Sequence, residues 1–445
     1  MSNTNEHMEQ LPIKQLLWKM TIPAVVGVMA YNFYNLFDTL FLSRGAGMNA
    51  VGGVAVSFPL FLLLSAISST LGTGAASVLS RALGKQDVET ATRAAANTFL
   101  IFYLTAICVT VLGLLFLKPI LYAMGVTETL LPYAERYTSI ILLGAVTSTG
   151  FSNLIRAEGN SRYAMLIWVI PMAANILLDL LLIFGLGMEV TGAALGTVGG
   201  QMISMAMSIY YFFFSGKSRL RFQRHHFRPD WSLLREIILT GIPSLLQLSG
   251  YSISVAVVNL FLRSNGGDLA IGTYGIVSQI NVFFLFPIMG LVQGMQPIIG
   301  YNYGANRPKR VWETVRYSSV LAAGYGLLAY GVIFCFSAHI LRIFTEVEDV
   351  IVLGITVLKI TNLALVCNTL QNVLVALLQA IGEKGLSLLL VLLNQILCFL
   401  PIALILSEIL GQDGIWLAFP TAHSIAFLIS IIIVTQFFKR RQHVC

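Results

Sequence analysis

Two carboxylates stand where an apolar chain can least accommodate them. Asp179 lies near the middle of WVIPMAANILLDLLLIFGL (168–186), and Asp38 lies within LLWKMTIPAVVGVMAYNFYNLFDTLFLS (16–43). Both runs are long and apolar enough to cross a bilayer. A carboxylate at that depth costs ~2.5–3.5 kcal/mol on insertion scales, so each acid must face a cavity or a partner rather than lipid. Asn175 precedes Asp179 by one helical turn; Tyr34 precedes Asp38 by one, with Asn35 alongside. Carboxylate and carboxamide together offer oxygens to a hard cation such as Na⁺, or a protonatable acid beside a hydrogen-bonding neighbour. The plainer alternative is a hydrogen bond to an adjacent helix. The fourth apolar run adds Asn153, and the sixth adds Thr197 in TGAALGTVGGQ, where Gly192, Gly196 and Gly200 form a flat ridge suited to close helix packing.

The composition says what carries these side chains. Of 445 residues, 57% are hydrophobic and 11% charged, with a mean hydropathy of +0.81. That balance describes an all-α polytopic membrane protein, not a soluble domain. Apolar runs fall at 15–43, 49–80, 94–117, 129–156, 163–186, 190–215, 233–262, 269–303, 311–337, 347–380, 385–407 and 414–438. Twelve spans put both termini on one side. The polar start, with Glu6 and Glu9, predicts no cleaved leader. Arg81, Lys85, Arg93, Arg156, Arg162, Arg307, Lys309, Lys384 and Lys439 all fall in loops on the termini's side, which the positive-inside rule makes cytoplasmic. The net charge of +7 is then a topology signal, and the basic segment SGKSRLRFQRHHFRPDW a membrane-side linker rather than a nucleic-acid site. The five cysteines lack paired spacing, and the six histidines lack ligand spacing.

That linker separates two halves that look alike. Thr21-Ile22-Pro23 recurs as Gly241-Ile242-Pro243, 220 residues later; Ala82-Leu83-Gly84-Lys85 has its counterpart in Asn302-Tyr303-Gly304-Ala305. NLIRAEGNSRYAM (153–165) resembles ALLQAIGEKGLSL (376–388) at an offset of 223. The predicted organisation is an N-terminal six-helix lobe at 1–214, a linker at 215–232 and a C-terminal six-helix lobe at 233–445, two pseudo-symmetric bundles of twelve transmembrane helices. Projected onto the second half, Asp38 falls on Val258, Asn153 on Ala376, Asn175 on Cys398 and Asp179 on Ile402. The scaffold was repeated while the polar set stayed in one copy, which favours function over fold for the two acids.

On these residues the chain resembles the MATE family, the multidrug and toxic compound extrusion transporters, and within it the DinF-like prokaryotic branch. The resemblance covers nearly the whole length: twelve spans, two halves, the Ile-Pro dipeptides, and the NLIRAEGN and QAIGEKG turns. It implies that Asp38, Asn153, Asn175, Asp179 and Thr197 surround a coupling-cation pocket lined by Tyr34. Another large branch has acids in spans seven and ten. Neither is present in the core of those spans here.

The resulting expectation is an antiporter in a bacterial cytoplasmic membrane, with no cofactor and H⁺ or Na⁺ as coupling ion. It would act as a monomer among membrane lipids on small, lipophilic, cationic, drug-like molecules, without nucleic acid. Burial favours a protonated carboxyl and a nearby cation favours the ionised one, so the same oxygens can trade protons or Na⁺ against cargo. The ion and the cargo must favour different states, because a ligand shifts an equilibrium only by differential affinity. Pro23 interrupts the first span's hydrogen bonding and is the predicted hinge. Gln247, Gln279, Asn281 and Gln293 are candidate cargo contacts, with Gln296, Asn372 and Asn394. Lys359 is a cation inside span ten that snorkels outward or pairs with an anionic group. The alternative function is a lipid-linked oligosaccharide flippase, whose cavity would carry several Arg or Lys residues for pyrophosphate; these spans hold mainly Lys359. No HExxH, GxSxG or Walker-type loop supports an enzyme.

Overall fold

Away from water a backbone must satisfy itself, and helix is how a single run does so. The computed structural model describes residues 8–148, 151–265 and 267–442, without the side chains of Asn35, Met48, Leu248, Ser264, Asn265, Arg441 and Gln442. Its first half holds α1 (Ile13–Gly45), α2 (Met48–Gly84), α3 (Val88–Leu115), a short α4 (Leu117–Ala123), α5 (Leu131–Leu143) with α6 (Phe151–Ala157), α7 (Ser161–Asp179) and α8 (Glu189–Ile209). The second holds α9 (Trp231–Asn265), α10 (Gly267–Gly304), α11 (Pro308–Arg342), α12 (Glu348–Thr361) with α13 (Leu365–Ile381), α14 (Lys384–Leu392) with α15 (Phe399–Leu410), and α16 (Gln412–Gln442).

Among the described residues, ten helices are long and apolar enough to cross a membrane, and α12 with α13, bent by 48°, makes an eleventh. Helix α8, where the twelfth span is expected, is 21 residues long and falls short of that apolarity, diluted by four glycines and Gln201. The architecture is the expected all-α polytopic one.

The internal repeat is visible in the backbone as well as in the letters. After α2, Lys85, Gln86 and Asp87 donate to the carbonyls of Arg81, Leu83 and Ala82; after α10, Ala305, Asn306 and Arg307 donate to those of Tyr301, Tyr303 and Asn302. Gln86 and Asn306 both adopt positive φ, 63° and 54°. The turns after α6 and α13 match in the same way, with Gly159 at φ 89° and Gly382 at φ 84°. Two turns of equal geometry, 220 and 223 residues on, are what a duplicated six-helix unit leaves behind.

The chain divides into two compact units, Met1–Gly241 with Gly300–Pro308, and Ile242–Ile299 with Lys309–Cys445. The first unit therefore takes in the linker, the opening turns of α9 and the closing turn of α10. Glycines make this possible. A Cβ on Gly84 would stand 2.0 Å from the Tyr301 carbonyl oxygen, and one on Gly304 2.1 Å from that of Arg81. Gly74 and Gly241 face the carbonyls of Ile237 and Thr70 in the same reciprocal manner, each at 2.0 Å. Arg81 adds an ion pair to Glu236 at 2.9 Å.

The basic linker is not a free strand. Glu158, in the turn after α6, is 3% exposed and accepts from the Ser218 hydroxyl at 2.9 Å and the Arg219 amide at 3.0 Å. Burial pushes the Glu158 carboxyl up to about 6, against the pull of those donors. Asn97 on α3 donates to the carbonyls of His226 and Arg228 and accepts from the Asp230 amide, while Arg93 pairs with Asp230 at 2.8 Å. Lys217, Arg221, Arg224 and Arg228 stay exposed along its length.

Candidate functional site

Helix α7 ends at Asp179, where the backbone widens into a π-helical turn, Leu180–Gly185. Such turns are rare and cluster at functional positions. The glycine ridge of α8 lies against this stretch: Gly192 meets the Leu182 backbone and Gly200 the Pro171 carbonyl, each within 3.1 Å of where a Cβ would sit. Gly196 does more than pack. Its missing Cβ would stand 2.0 Å from Asp179 Oδ1 and 3.3 Å from Asn175 Nδ2, so the bare backbone makes room for the carboxyl.

Around that gap the described side chains converge. Asp179, Asn175 and Thr197 are 0%, 1% and 1% exposed, and Asp38, arriving from α1, is 9% exposed. The Asp38 and Asp179 carboxyls lie within hydrogen-bonding reach of each other. Asn175 Nδ2 donates to Asp179 Oδ1 at 3.3 Å, and the Tyr34 hydroxyl donates to Thr197 Oγ1 at 2.9 Å. Tyr137 from α5 brings a second phenol to Thr197.

Among the described residues, three oxygens in this group accept no hydrogen bond: Asp38 Oδ1, Asn175 Oδ1 and Asp179 Oδ2. Buried acceptors are ordinarily satisfied, and adjacent carboxylates repel. A proton shared by the acids would relieve that, and so would a hard cation, for which an all-oxygen set of two carboxyls, a carboxamide and hydroxyls is a fitting coat.

Other predicted residues sit elsewhere. Asn153 turns its Oδ1 to the Arg156 guanidinium at 2.9 Å rather than to the acids. The Asn35 side chain lies outside the described residues. Pro23 is inside α1, which continues past it; next to the carbonyl that proline strips of its donor, the Met20 carbonyl accepts from the Ser161 hydroxyl at 2.7 Å. In the second unit, Gln247 bonds to Asn372, and Asn281 accepts from Asn362 at 2.7 Å. Gln279 is exposed and Gln293 half-buried. Lys359 lies 4.6 Å over the Phe334 ring, a cation–π contact. The positions matching the acids and Asn175 are apolar, with Val258, Cys398 and Ile402 in one hydrophobic cluster.

Sequence reading missed Tyr137 and the service of Gly196, because neither residue type carries charge to give it away. The six histidines lack ligand spacing along the sequence, yet His225, His226 and Glu89 bring their ligand atoms within 4.8 Å of one another. His226 Nδ1 accepts from the Gln223 amide at 2.9 Å, so Nε2 carries the proton that Glu89 receives at 2.9 Å. With that lone pair spent, the trio staples the linker to α3 instead of offering three ligands.

Comparison with known proteins completes the picture. The MatE family model matches residues 23–181 and 243–405. The multidrug export protein MepA of Staphylococcus haemolyticus (strain JCSC1435) is 26% identical over 432 residues, covering 96% of this chain and 94% of that one. A multidrug resistance MATE family transporter of the MOP superfamily, solved in an outward-facing conformation, superposes with a TM-score of 0.92 at 24% identity, over 99% of this chain and 100% of that one. A MOP superfamily transporter from Pyrococcus furiosus, whose binding pocket is described as reversed in polarity, superposes at 0.90 with 23% identity over 98% of both chains. Fold is thus shared among proteins of differing pockets, and a family model spanning both halves decides membership. The chain belongs to the MatE family of MATE transporters, polytopic membrane proteins rather than enzymes.

Proposed function

We propose that the protein is an ion-driven exporter of lipophilic organic cations, with the Asp38–Asp179 pair as its coupling site. The observation that carries this is the set of three unpartnered buried oxygens in the first unit, with an apolar cluster at the matching places of the second. A site short of donors holds H⁺ or Na⁺, and either removes one of the pair's two negative charges. Cargo cations then lose their attraction to the first unit, so ion and cargo favour different states and exchange follows. Asn175 and Thr197 orient the acids, Tyr34 and Tyr137 close the pocket around Thr197, and Pro23 gives α1 a place to bend when the charge changes. A coupling site confined to the first unit also favours the DinF-like type within the family. The name of the MepA relative, a multidrug export protein, supports the direction and breadth of transport, and the bacterial cytoplasmic membrane is the setting this implies.

Efflux of a fluorescent lipophilic cation from vesicles, driven first by a pH gradient alone and then by a Na⁺ gradient alone, tests the reading. One gradient should suffice, and that names the ion. Efflux indifferent to both would reject it.

A further inference from the structure

The second unit carries a chain of polar side chains that ion coupling leaves unused. Gln247 on α9 donates through Nε2 to Asn372 Oδ1 on α13 at 2.5 Å. Asn372 Nδ2 donates to the Asn368 carbonyl at 2.8 Å and to Asn368 Oδ1 at 3.4 Å. Asn394, from the wide turn Leu393–Leu397 after α14, donates through Nδ2 to the same Asn368 Oδ1 at 3.3 Å. His423 on α16 closes the chain, its Nδ1 2.6 Å from Asn394 Oδ1.

The direction of these bonds determines what the ends offer. Asn394 presents its oxygen to the ring, and a carboxamide oxygen only accepts, so His423 Nδ1 carries the proton and Nε2 keeps a lone pair. At the other end Gln247 uses its Nε2 on Asn372 and keeps Oε1 as an acceptor. Gln247 and His423 are both half-buried rather than sealed. Asn368 Nδ2 is left over as a donor between them. Among the described residues, no charged group acts on the His423 ring. A second chain in this unit behaves differently: Gln379, 4% exposed, accepts from Gln296 at 2.9 Å and donates to Ser244 at 3.0 Å, using both ends of its amide. That is how an amide serves when it only joins helices.

We infer that the Gln247–His423 chain is a recognition strip for cargo bearing N–H donors, the amidinium, guanidinium and protonated-amine class, with Gln247 Oε1 and His423 Nε2 as accepting atoms. The inference rests on the efflux reading and adds a chemical preference to it. Without a carboxylate, the strip selects by hydrogen bonding. A site built to bond a donor discriminates against an analogue that lacks it, because its acceptors are then left unpaired.

Equilibrium binding to the purified full-length protein, with a bis-benzamidine and with tetraphenylphosphonium, which has no N–H, tests this through the ratio of the two Kd values. His423→Phe and Gln247→Leu should each move the ratio about tenfold against the amidine. His423→Gln, which keeps an acceptor near the ring's outer edge, should restore most of it. An unmoved ratio overturns the inference, and so does equal loss of both probes, which would make the chain structural. Should His423→Phe fail to fold, Gln247→Leu at the opposite end decides. Because binding needs no gradient, this result stands apart from the vesicle experiment, whose failure would reject ion-driven efflux whatever the ratio.

Discussion

Among the described residues, Asp38 Oδ1, Asn175 Oδ1 and Asp179 Oδ2 accept no hydrogen bond, and what a substitution does there follows from that shortage. Asp179→Asn brings a donor in place of an exchangeable charge. Ion-driven efflux should fall to the background of empty vesicles while the protein stays monodisperse in detergent, and wild-type efflux from this variant would remove Asp179 from coupling. Gly196→Ala puts a methyl 2.0 Å from Asp179 Oδ1, so the carboxyl must move and ion affinity should drop about tenfold. Gly185→Ala meets only ordinary contacts at 3.5 Å and should bind like wild type. Glu158 titrates outside the spans. Its folded carboxyl, pushed to about 6 from an ordinary 4.5, holds a proton more tightly than the unfolded one. Its contribution to stability is therefore fullest below 4.5 and declines as pH rises through 6. Thermal unfolding followed from pH 4.5 to 7 should show that decline flattened in Glu158→Gln; an unchanged slope would place the titration elsewhere. The two acids were legible in the sequence because charge in an apolar run stands out. Tyr137 and Gly196 were not, since a phenol and a hydrogen look the same in a lipid-facing helix as beside a carboxyl.

Among helices, the closest approaches are made by glycines against backbone, where no side chain can swing aside. Gly84→Ala or Gly304→Ala would drive a methyl to about 2 Å from a carbonyl oxygen, and overpacking of that kind costs ~1–3 kcal/mol. Both should lower the melting temperature in detergent, whereas Gly324→Ala on α11, with nothing within 4 Å, should hold or raise it. Equal melting of all three would mean that α2 and the end of α10 have slack. The spans themselves could be read from apolar length, and the repeat from the Ile-Pro dipeptides and the glycine turns at Gly84 and Gly304. The docking of the linker could not: a row of Arg, Lys and His announces its charge, while the contacts that pin it run through Asn97, Ser218 and backbone groups that carry no signal of their own.

At the scale of the whole molecule, the backbone is duplicated and the chemistry is not. The first unit gathers two acids, while the second fills the matching positions with Val258, Cys398 and Ile402 and places its amides on other helices. If the paired acids are the coupling site, as proposed, they set the stoichiometry of exchange, since cargo can displace only what they hold. Ion release on cargo binding tests this most directly. Purified protein in lightly buffered detergent solution, titrated with a lipophilic cation, should release about one H⁺ or one Na⁺ per cargo bound, read by a pH or Na⁺ electrode. The Asp38→Asn and Asp179→Asn variants should release none. Cargo binding without ion release in the wild type, or undiminished release in both variants, would contradict coupling through the paired acids.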